Sequence, residues 1–345
     1  MKIVLKKPAN CQVVSQTTEA QQTFMETAGK RDAGQNLKID WLNLVKQGDD
    51  NTNPAPVSFC WSADFNEDNG FEIWLELSVD QNFQTKKTFR GCNGTADVDS
   101  LLLGQTYYWR VFALKNGETV CASDTYCFTT ALTPPRWIGV GGLSNVRDIG
   151  GWPLPGGKRI RQGLVFRGCE MEFHHIITAS GKNTLLHDLN MKTDLDLRGE
   201  AVGKVTCSAL GPDIHFCLIP VKAYDEFMAD SEKDVCRKVF RLFTDKKNYP
   251  FYIHCWGGAD RTGTLIFLLC AILGMAENDL YLDYELTSLS IWGERSRNSE
   301  LFQAFLKALE AYPGDTVNQK SENFLLSAGI TEQELKTIRS ILTED

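Results

Sequence analysis

A chain of 345 residues is longer than one hydrophobic core usually organises, so two domains of ordinary size are expected. Its 43% hydrophobic and 23% charged residues exclude a wholly disordered, collagenous or coiled-coil protein. The net charge of −8 argues against nucleic acid as a partner, and any anion must be held by a local cluster of donors.

At the N-terminus Lys2, Lys6 and Lys7 surround Ile3-Val4-Leu5, an apolar stretch too short for the core of a secretory leader. The chain is expected to work in the cytoplasm, or outside it if a leader precedes Met1. The first third then alternates with period two between turn signals, as an all-β module does. Strands are expected at Pro56-Val57-Ser58-Phe59-Cys60-Trp61, at Phe71 to Leu77, at Thr106 to Ala113 and near Tyr126-Cys127-Phe128-Thr129. Asn116-Gly117 supplies a hairpin turn, since both residues tolerate positive φ.

The Trp61 strand, the run Leu103-Gly104-Gln105-Thr106-Tyr107-Tyr108-Trp109-Arg110-Val111-Phe112-Ala113 and the terminal Phe128-Thr129-Thr130 resemble a fibronectin type III domain. The resemblance implies a corner hydrogen bond at Tyr107, with Trp109, Val111 and Ala113 alternating inward. The long polar stretch from Gln16 to Asn53, ending Asp49-Asp50-Asn51-Thr52-Asn53, departs from that pattern and reads as an inserted loop. The module carries no catalytic constellation of its own. It is expected to be a non-catalytic adaptor for a protein partner, so that a chain starting near Pro135 keeps its activity.

Thr133-Pro134-Pro135 ends the β rhythm, because adjacent prolines cannot donate to a sheet ladder. The expected division is an all-β sandwich over 1–133 and an α/β domain over 134–345, with a central, mostly parallel sheet flanked by helices. Leu164-Val165-Phe166, Thr193 to Leu197 and Phe251-Tyr252-Ile253 are its strand candidates. Arg261 to Leu273 is apolar on nearly every side, as a central buried helix is. Its most apolar run, Leu265 to Met275, falls short of the roughly 20 residues a membrane span requires. Helices follow from Glu277 onward, with Gly329 closing one and Thr331-Glu332-Gln333-Glu334 opening the last. Eleven cysteines show neither zinc-ligand spacing nor a disulfide framework, so no metal or cofactor is expected. Cys169, Cys207, Cys217, Cys236 and Cys270 are expected to be buried and inert.

The chemistry is concentrated in His254-Cys255-Trp256-Gly257-Gly258-Ala259-Asp260-Arg261-Thr262-Gly263. A short loop between a buried strand and a helix turns successive backbone N–H groups towards one point, and the helix N-terminus adds partial positive charge. Such a cradle fits a tetrahedral dianion. Gly257 and Gly258 allow the unusual dihedrals, Arg261 offers a planar fork of donors, and the same positive surroundings favour the thiolate of Cys255. Thr262 can donate its hydroxyl to that thiolate, and His254 orients the loop rather than acting as a base.

The spacing His-Cys-x5-Arg-Thr resembles the signature of the protein tyrosine phosphatase superfamily, and the ending Asp-Arg-Thr-Gly is similar to its bacterial tyrosine and dual-specificity members. Asn145 to Gly151, Val165-Phe166-Arg167-Gly168, Asp194 to Arg198 and Asp283 to Thr287 extend the likeness across about residues 136 to 343. The resemblance implies a phosphorylated protein or peptide as substrate, with phosphotyrosine first and phosphoserine or phosphothreonine beside it. It also implies a phosphocysteine on Cys255, and a phosphate held by Arg261 and by the loop at Trp256, Gly257, Gly258, Ala259, Thr262 and Gly263. Ala259 stands where relatives active on phosphoinositides often carry Lys, and Gly168-Cys169 follows Arg167 where Ser is common. The general acid is either Asp260, inside the loop and slightly preferred, or Asp225, 30 residues before Cys255 in Ala223-Tyr224-Asp225-Glu226. Arg147, Arg167 and Arg198 are open between ion pairing and substrate contact, and His174-His175 reads as filler. The alternatives are a phosphoinositide phosphatase, a phosphotyrosine-binding pseudophosphatase and a rhodanese-like sulfur transferase.

Overall fold

Tyr107, Trp109, Val111 and Ala113 are buried along strand Thr106–Lys115 while the residues between them are more exposed, so period-two patterning turns one face of this strand inward. The computed structural model describes residues 1–32, 34, 49–65 and 70–345. It divides into two units, Met1–Thr17 with Pro54–Thr133, and Thr18–Asn53 with Pro134–Asp345.

In the first unit Thr106–Lys115 lies inside a sheet ordered Gln12–Val14, Tyr126–Thr130, Thr106–Lys115, Phe71–Ser78, Lys87–Arg90, with Glu118–Ala122 also paired to it. A second sheet joins Ile3–Lys7, Val57–Ala63 and Thr95–Val98. Both sheets feed one apolar cluster, Leu5, Phe59 and Trp61 from the smaller, Leu75, Trp109 and Phe128 from the larger. The Phe59 ring meets Trp109 edge-on at 5.0 Å. The Leu102 amide donates to the Tyr107 hydroxyl at 3.0 Å, which closes the corner above the strand. Asn116 and Gly117 take φ of 54° and 83°, the pair of positive angles that a tight right-twisting hairpin needs.

The second unit holds a six-stranded sheet in the order Arg136–Trp137, Arg147–Asp148, Val165–Gly168, Phe251–His254, Thr193–Asp196, His215–Leu218. The last four strands are mutually parallel and the first two antiparallel. Helix Asp260–Leu273 leaves the end of the central strand Phe251–His254 and is buried from Thr262 to Leu273, as its continuous apolar sequence requires. Helices Lys233–Leu242, Glu300–Leu309, Val317–Ser327 and Glu332–Leu342 add Phe240, Phe305, Phe324 and Ile338 to its cluster. Thr331 and Glu334 form the expected capping box, and Gly329 takes φ of 88° just after a helix end. Among the described residues no helix is long and apolar enough to cross a membrane.

Two corrections concern the stretch around Gln16 to Asn53 and the cysteines. Residues 33 and 35–48 of that stretch lie outside the described residues; what precedes them is helix Glu19–Asp32 rather than a loop. This helix belongs with the second unit. Phe24 and Ala28 are fully buried in the cluster of helix Asp260–Leu273, and Arg31 makes a two-point ion pair with the buried Glu285 at 3.1 and 2.9 Å. The division at 133 therefore leaves part of the α/β core on the N-terminal side, and a chain starting near Pro135 lacks it. Of the five cysteines read as buried, Cys169, Cys236 and Cys270 are so, and burial pushes their thiols up, that of Cys236 to about 12. Cys207 is exposed and Cys217, on the edge strand His215–Leu218, is half-buried, because an edge strand is covered on fewer sides.

Phe24→Ala removes a fully buried ring from the α/β unit and is expected to lower stability by about 3–5 kcal/mol, the usual cost of such a cavity. Denaturant unfolding followed by tryptophan fluorescence checks this; a loss below about 1 kcal/mol would show that the helix is a dispensable attachment.

Candidate active site

Cys255 follows directly on strand Phe251–His254 and is 4% exposed. The carbonyls of the next three residues are each taken by a fixed donor. Trp256 O accepts from Glu170 N–H at 2.9 Å, Gly257 O from Asn145 Nδ2 at 2.9 Å, and Gly258 O from Arg167 Nη2 at 2.6 Å. A trans peptide sets each carbonyl antiparallel to the N–H that follows it. Tying these carbonyls therefore aims the N–H groups of Gly257, Gly258 and Ala259 away from the tying partners, as an oxyanion cradle requires. Gly258 has φ of 65°, and a Cβ there would meet the Gly168 carbonyl oxygen at 2.1 Å. A Cβ at Gly168 would in turn meet the Tyr252 hydroxyl at 2.3 Å, so the glycine that departs from the Arg-Ser pattern is sterically required.

The donors are themselves anchored. Asp283, on helix Glu277–Glu285, accepts from Arg147 Nε at 2.9 Å and from Arg167 Nη1 at 2.6 Å, with both guanidinium groups fully buried. Burial pushes the Asp283 carboxyl up, but the two arginines outweigh it and hold it below the usual range. Arg198 bonds Asp196 and Glu172 and lies 4.8 Å above the Trp256 ring. All three arginines thus serve as structural ion-pair partners. His254 Nε2 donates to Asp194 Oδ1 across 2.9 Å, with Nδ1 3.3 Å from Cys255 O, which suits an orienter of the loop.

Arg261 is part-exposed, and its two Nη groups each meet a Glu200 oxygen at 2.8 Å. This end-on pairing fixes the guanidinium plane and leaves the edge carrying Nε unused by Glu200. Thr262 is fully buried, and its hydroxyl makes no hydrogen bond, so the expected donation to Cys255 is not formed here. Gly263 continues the helix through its N–H bond to Ala259 O at 2.9 Å.

The two candidate acids stand in contrasting surroundings. Asp260 accepts from Arg295 Nε at 2.8 Å and Nη2 at 3.1 Å, and also from the Tyr224 hydroxyl. Burial raises its pKa, but the Arg295 hydrogen bonds and charge, with Tyr224 and Arg261, bring it below the ordinary value. Such a carboxylate is committed as an acceptor and is a poor proton donor. Asp225 is exposed on the one-turn helix Tyr224–Phe227, beside a Tyr224 held at φ of 57° whose N–H donates to Thr264 Oγ1 at 2.9 Å.

An aromatic rim that sequence reasoning missed stands at the loop. Phe173 and His174 meet the Trp256 ring at 5.6 and 4.9 Å, and His174 meets Trp292 at 5.8 Å. Trp292 packs on Gly257, where a Cβ would approach its ring to 2.6 Å, and donates from Nε1 to His175 Nε2 at 3.1 Å. The loop carrying these residues is gathered by the buried Glu170, whose carboxylate accepts the N–H groups of Glu172, Phe173, His174 and His175. The sequence marked its surroundings only through the adjacent histidines His174 and His175 and the loop residue Trp256. Nothing local marked Glu200 or Arg295. Among the described residues no group of three or more His, Cys, Asp or Glu is arranged to hold a metal ion.

Residues 138–344 match the family described as the tyrosine phosphatase family. A curated Cupriavidus necator protein named as a tyrosine-protein phosphatase is 27% identical over 166 residues, which are 41% of this chain and 59% of that protein's length. The core catalytic domain of the PP-IP phosphatase SIW14 from S. cerevisiae, solved with citrate, is 18% identical, with 47% of this chain and 89% of that one covered and a TM-score of 0.30.

The buried His254 and Asp194 pair yields a pH signature. Burial alone would lower the imidazole pKa, but the charge and hydrogen bond of Asp194, aided by Asp196, raise it to about 9. A pKa raised above the unfolded value of about 6.5 contributes stability that is complete below about pH 6.5 and is lost as pH rises through about 9. The stability advantage of the parent protein over Asp194→Asn should therefore shrink across that window in denaturant titrations at stepped pH. An advantage that does not change with pH would show His254 to be neutral throughout.

Proposed function

The chain belongs to the tyrosine phosphatase family, and on that premise we propose that it hydrolyses phosphotyrosine in proteins or peptides through a phosphocysteine on Cys255. The observation that carries this reading is the outward tying of the Trp256, Gly257 and Gly258 carbonyls, which turns the following amides into a cradle beside Cys255 and Arg261. The Cys255 thiolate attacks phosphorus, a P–S bond forms and the P–O bond to the leaving group breaks. The cradle amides and the free edge of Arg261 stabilise the equatorial oxygens. Water then cleaves the P–S bond, releasing inorganic phosphate and the thiolate.

We assign proton donation to the leaving oxygen to Asp225, and to Asp260 the role of fixing the start of the helix through Arg295 and Tyr224. This reverses the preference drawn from the sequence, because the acceptor bonds of Asp260 favour its ionised form. The rim of Phe173, His174, Trp256 and Trp292 supports an aromatic ester, since rings stack on rings at little entropic cost. Ala259 supports the same choice over multiply phosphorylated head groups, which gain from an additional cation. The first unit we read as a fibronectin type III-like sandwich that contacts a protein partner.

Cys255→Ser should abolish turnover of phosphotyrosine peptide. Vanadate should inhibit the parent protein, and a chelator should leave its rate unchanged. A rate that survives Cys255→Ser would sink the thiolate mechanism.

Asp225→Asn should cut kcat on phosphotyrosine about 10²–10⁴-fold, the usual scale of acid catalysis, and much less on an activated aryl phosphate. If Asp260→Asn shows that leaving-group dependence and Asp225→Asn does not, the assignment returns to Asp260.

A further inference from the structure

Gly257 O is tied by Asn145, and the chain of bonds does not stop there. Asn145 N–H donates to Thr52 Oγ1 at 2.8 Å, across 93 residues of sequence. Thr52 is 2% exposed, and Asp50 Oδ1 accepts both its N–H at 3.0 Å and its hydroxyl at 2.5 Å. The hydroxyl hydrogen is thereby committed to Asp50, and only an oxygen lone pair is left to face Asn145. The backbone on either side is pinned as well. Gln21 Nε2 donates to the carbonyls of Asn51 and Asn53 at 2.8 Å each, and Asn51 N–H donates to Leu289 O at 2.8 Å. Asn145 itself sits at φ of 61°, with its Oδ1 receiving Arg147 Nη1, so its Nδ2 can only point to Gly257.

We propose that Thr52 is a positioning residue of the phosphate cradle: it holds Asn145, Asn145 holds the Gly257 carbonyl, and that carbonyl sets the direction of the Gly258 N–H. The proposal rests on the loop being an oxyanion cradle, and it gives the segment at 49–53 a part in the reaction without any contact to substrate. The direction of every bond in the relay is fixed by donor and acceptor chemistry, from the Asp50 carboxylate through the Thr52 hydroxyl and the Asn145 amides to the loop. An isosteric residue without a hydroxyl breaks it at one point. Asn145 N–H then loses its acceptor, and the left-handed turn that aims Nδ2 loses its anchor.

The test compares the parent protein with Thr52→Val and Thr52→Ser for kcat on an aryl phosphate, for inhibition by vanadate and for thermal midpoint. Thr52→Val is expected to lose about 10- to 100-fold in kcat, the range that follows from displacing a catalytic group by a fraction of an ångström to one ångström, and to bind vanadate correspondingly less tightly. Thr52→Ser, which keeps the hydroxyl, should restore both. If Thr52→Val fails to fold, Thr52→Ala, which removes the same acceptor with a smaller side chain, reads the same relay. Unchanged kcat and vanadate inhibition in Thr52→Val or Thr52→Ala overturn the relay alone. Equal loss in Thr52→Val and Thr52→Ser, tracking the thermal midpoint, also overturns it, in favour of packing. A parent protein with neither turnover nor vanadate inhibition overturns the cradle itself and the relay with it.

Discussion

Two guanidinium groups share one carboxylate in the interior of the α/β unit, and the position of the phosphate loop follows from that arrangement. Asp283 holds Arg147 and Arg167, and each arginine gives one further donor to the loop's support, Arg167 Nη2 to Gly258 O and Arg147 Nη1 to Asn145 Oδ1, while Arg147 Nη2 returns to Asp283 O and Arg167 Nε is buried without a partner among the described residues. Burying three charges is expensive, and such a cluster is retained only where its hydrogen bonds are nearly all satisfied. It also leaves one positive charge in excess behind the loop. On the proposed function, that field offsets part of the repulsion between a dianion and a protein whose net charge is negative.

Around this centre the carboxylates have separate tasks. Asp194 fixes His254 at the end of the strand, Glu170 gathers the loop that carries the aromatic rim, Glu200 sets the plane of Arg261, and Asp260 joins the start of the helix to Arg295 and Tyr224. Each is engaged as an acceptor. Asp225, by contrast, is exposed on its one-turn helix, which is why proton transfer is assigned to it.

The features legible in the sequence are those whose cause is local. The strand–loop–helix layout from His254 to Gly263 was readable because the strand end, the glycines and the helix start lie within ten positions of one another, and the Asn116-Gly117 hairpin because two adjacent residues carry the whole conformational requirement. The strands of both units were readable through their alternation or their uniform burial. The helix Glu19–Asp32 was not, since its interior-facing set reduces to Gln21, Phe24 and Ala28 in an otherwise polar run. The partners of Asp260 were not legible for a related reason: Arg295 and Tyr224 lie 35 and 36 residues away, and the local sequence offered only its adjacency to Arg261.

The mutual closeness of Gly168 and Gly258 also governs how the site can vary. A side chain at 258 would strike the Gly168 carbonyl oxygen, while one at 168 would strike the Tyr252 hydroxyl, whose own hydrogen bond to Cys169 O holds it in place at 2.8 Å. The obstacles are backbone and a tethered ring, so no single substitution at either position relieves the other. Under the proposed function, change in substrate preference would fall on the aromatic rim rather than on the floor of the loop, because Phe173 and His174 are exposed enough to change without moving the backbone beneath them.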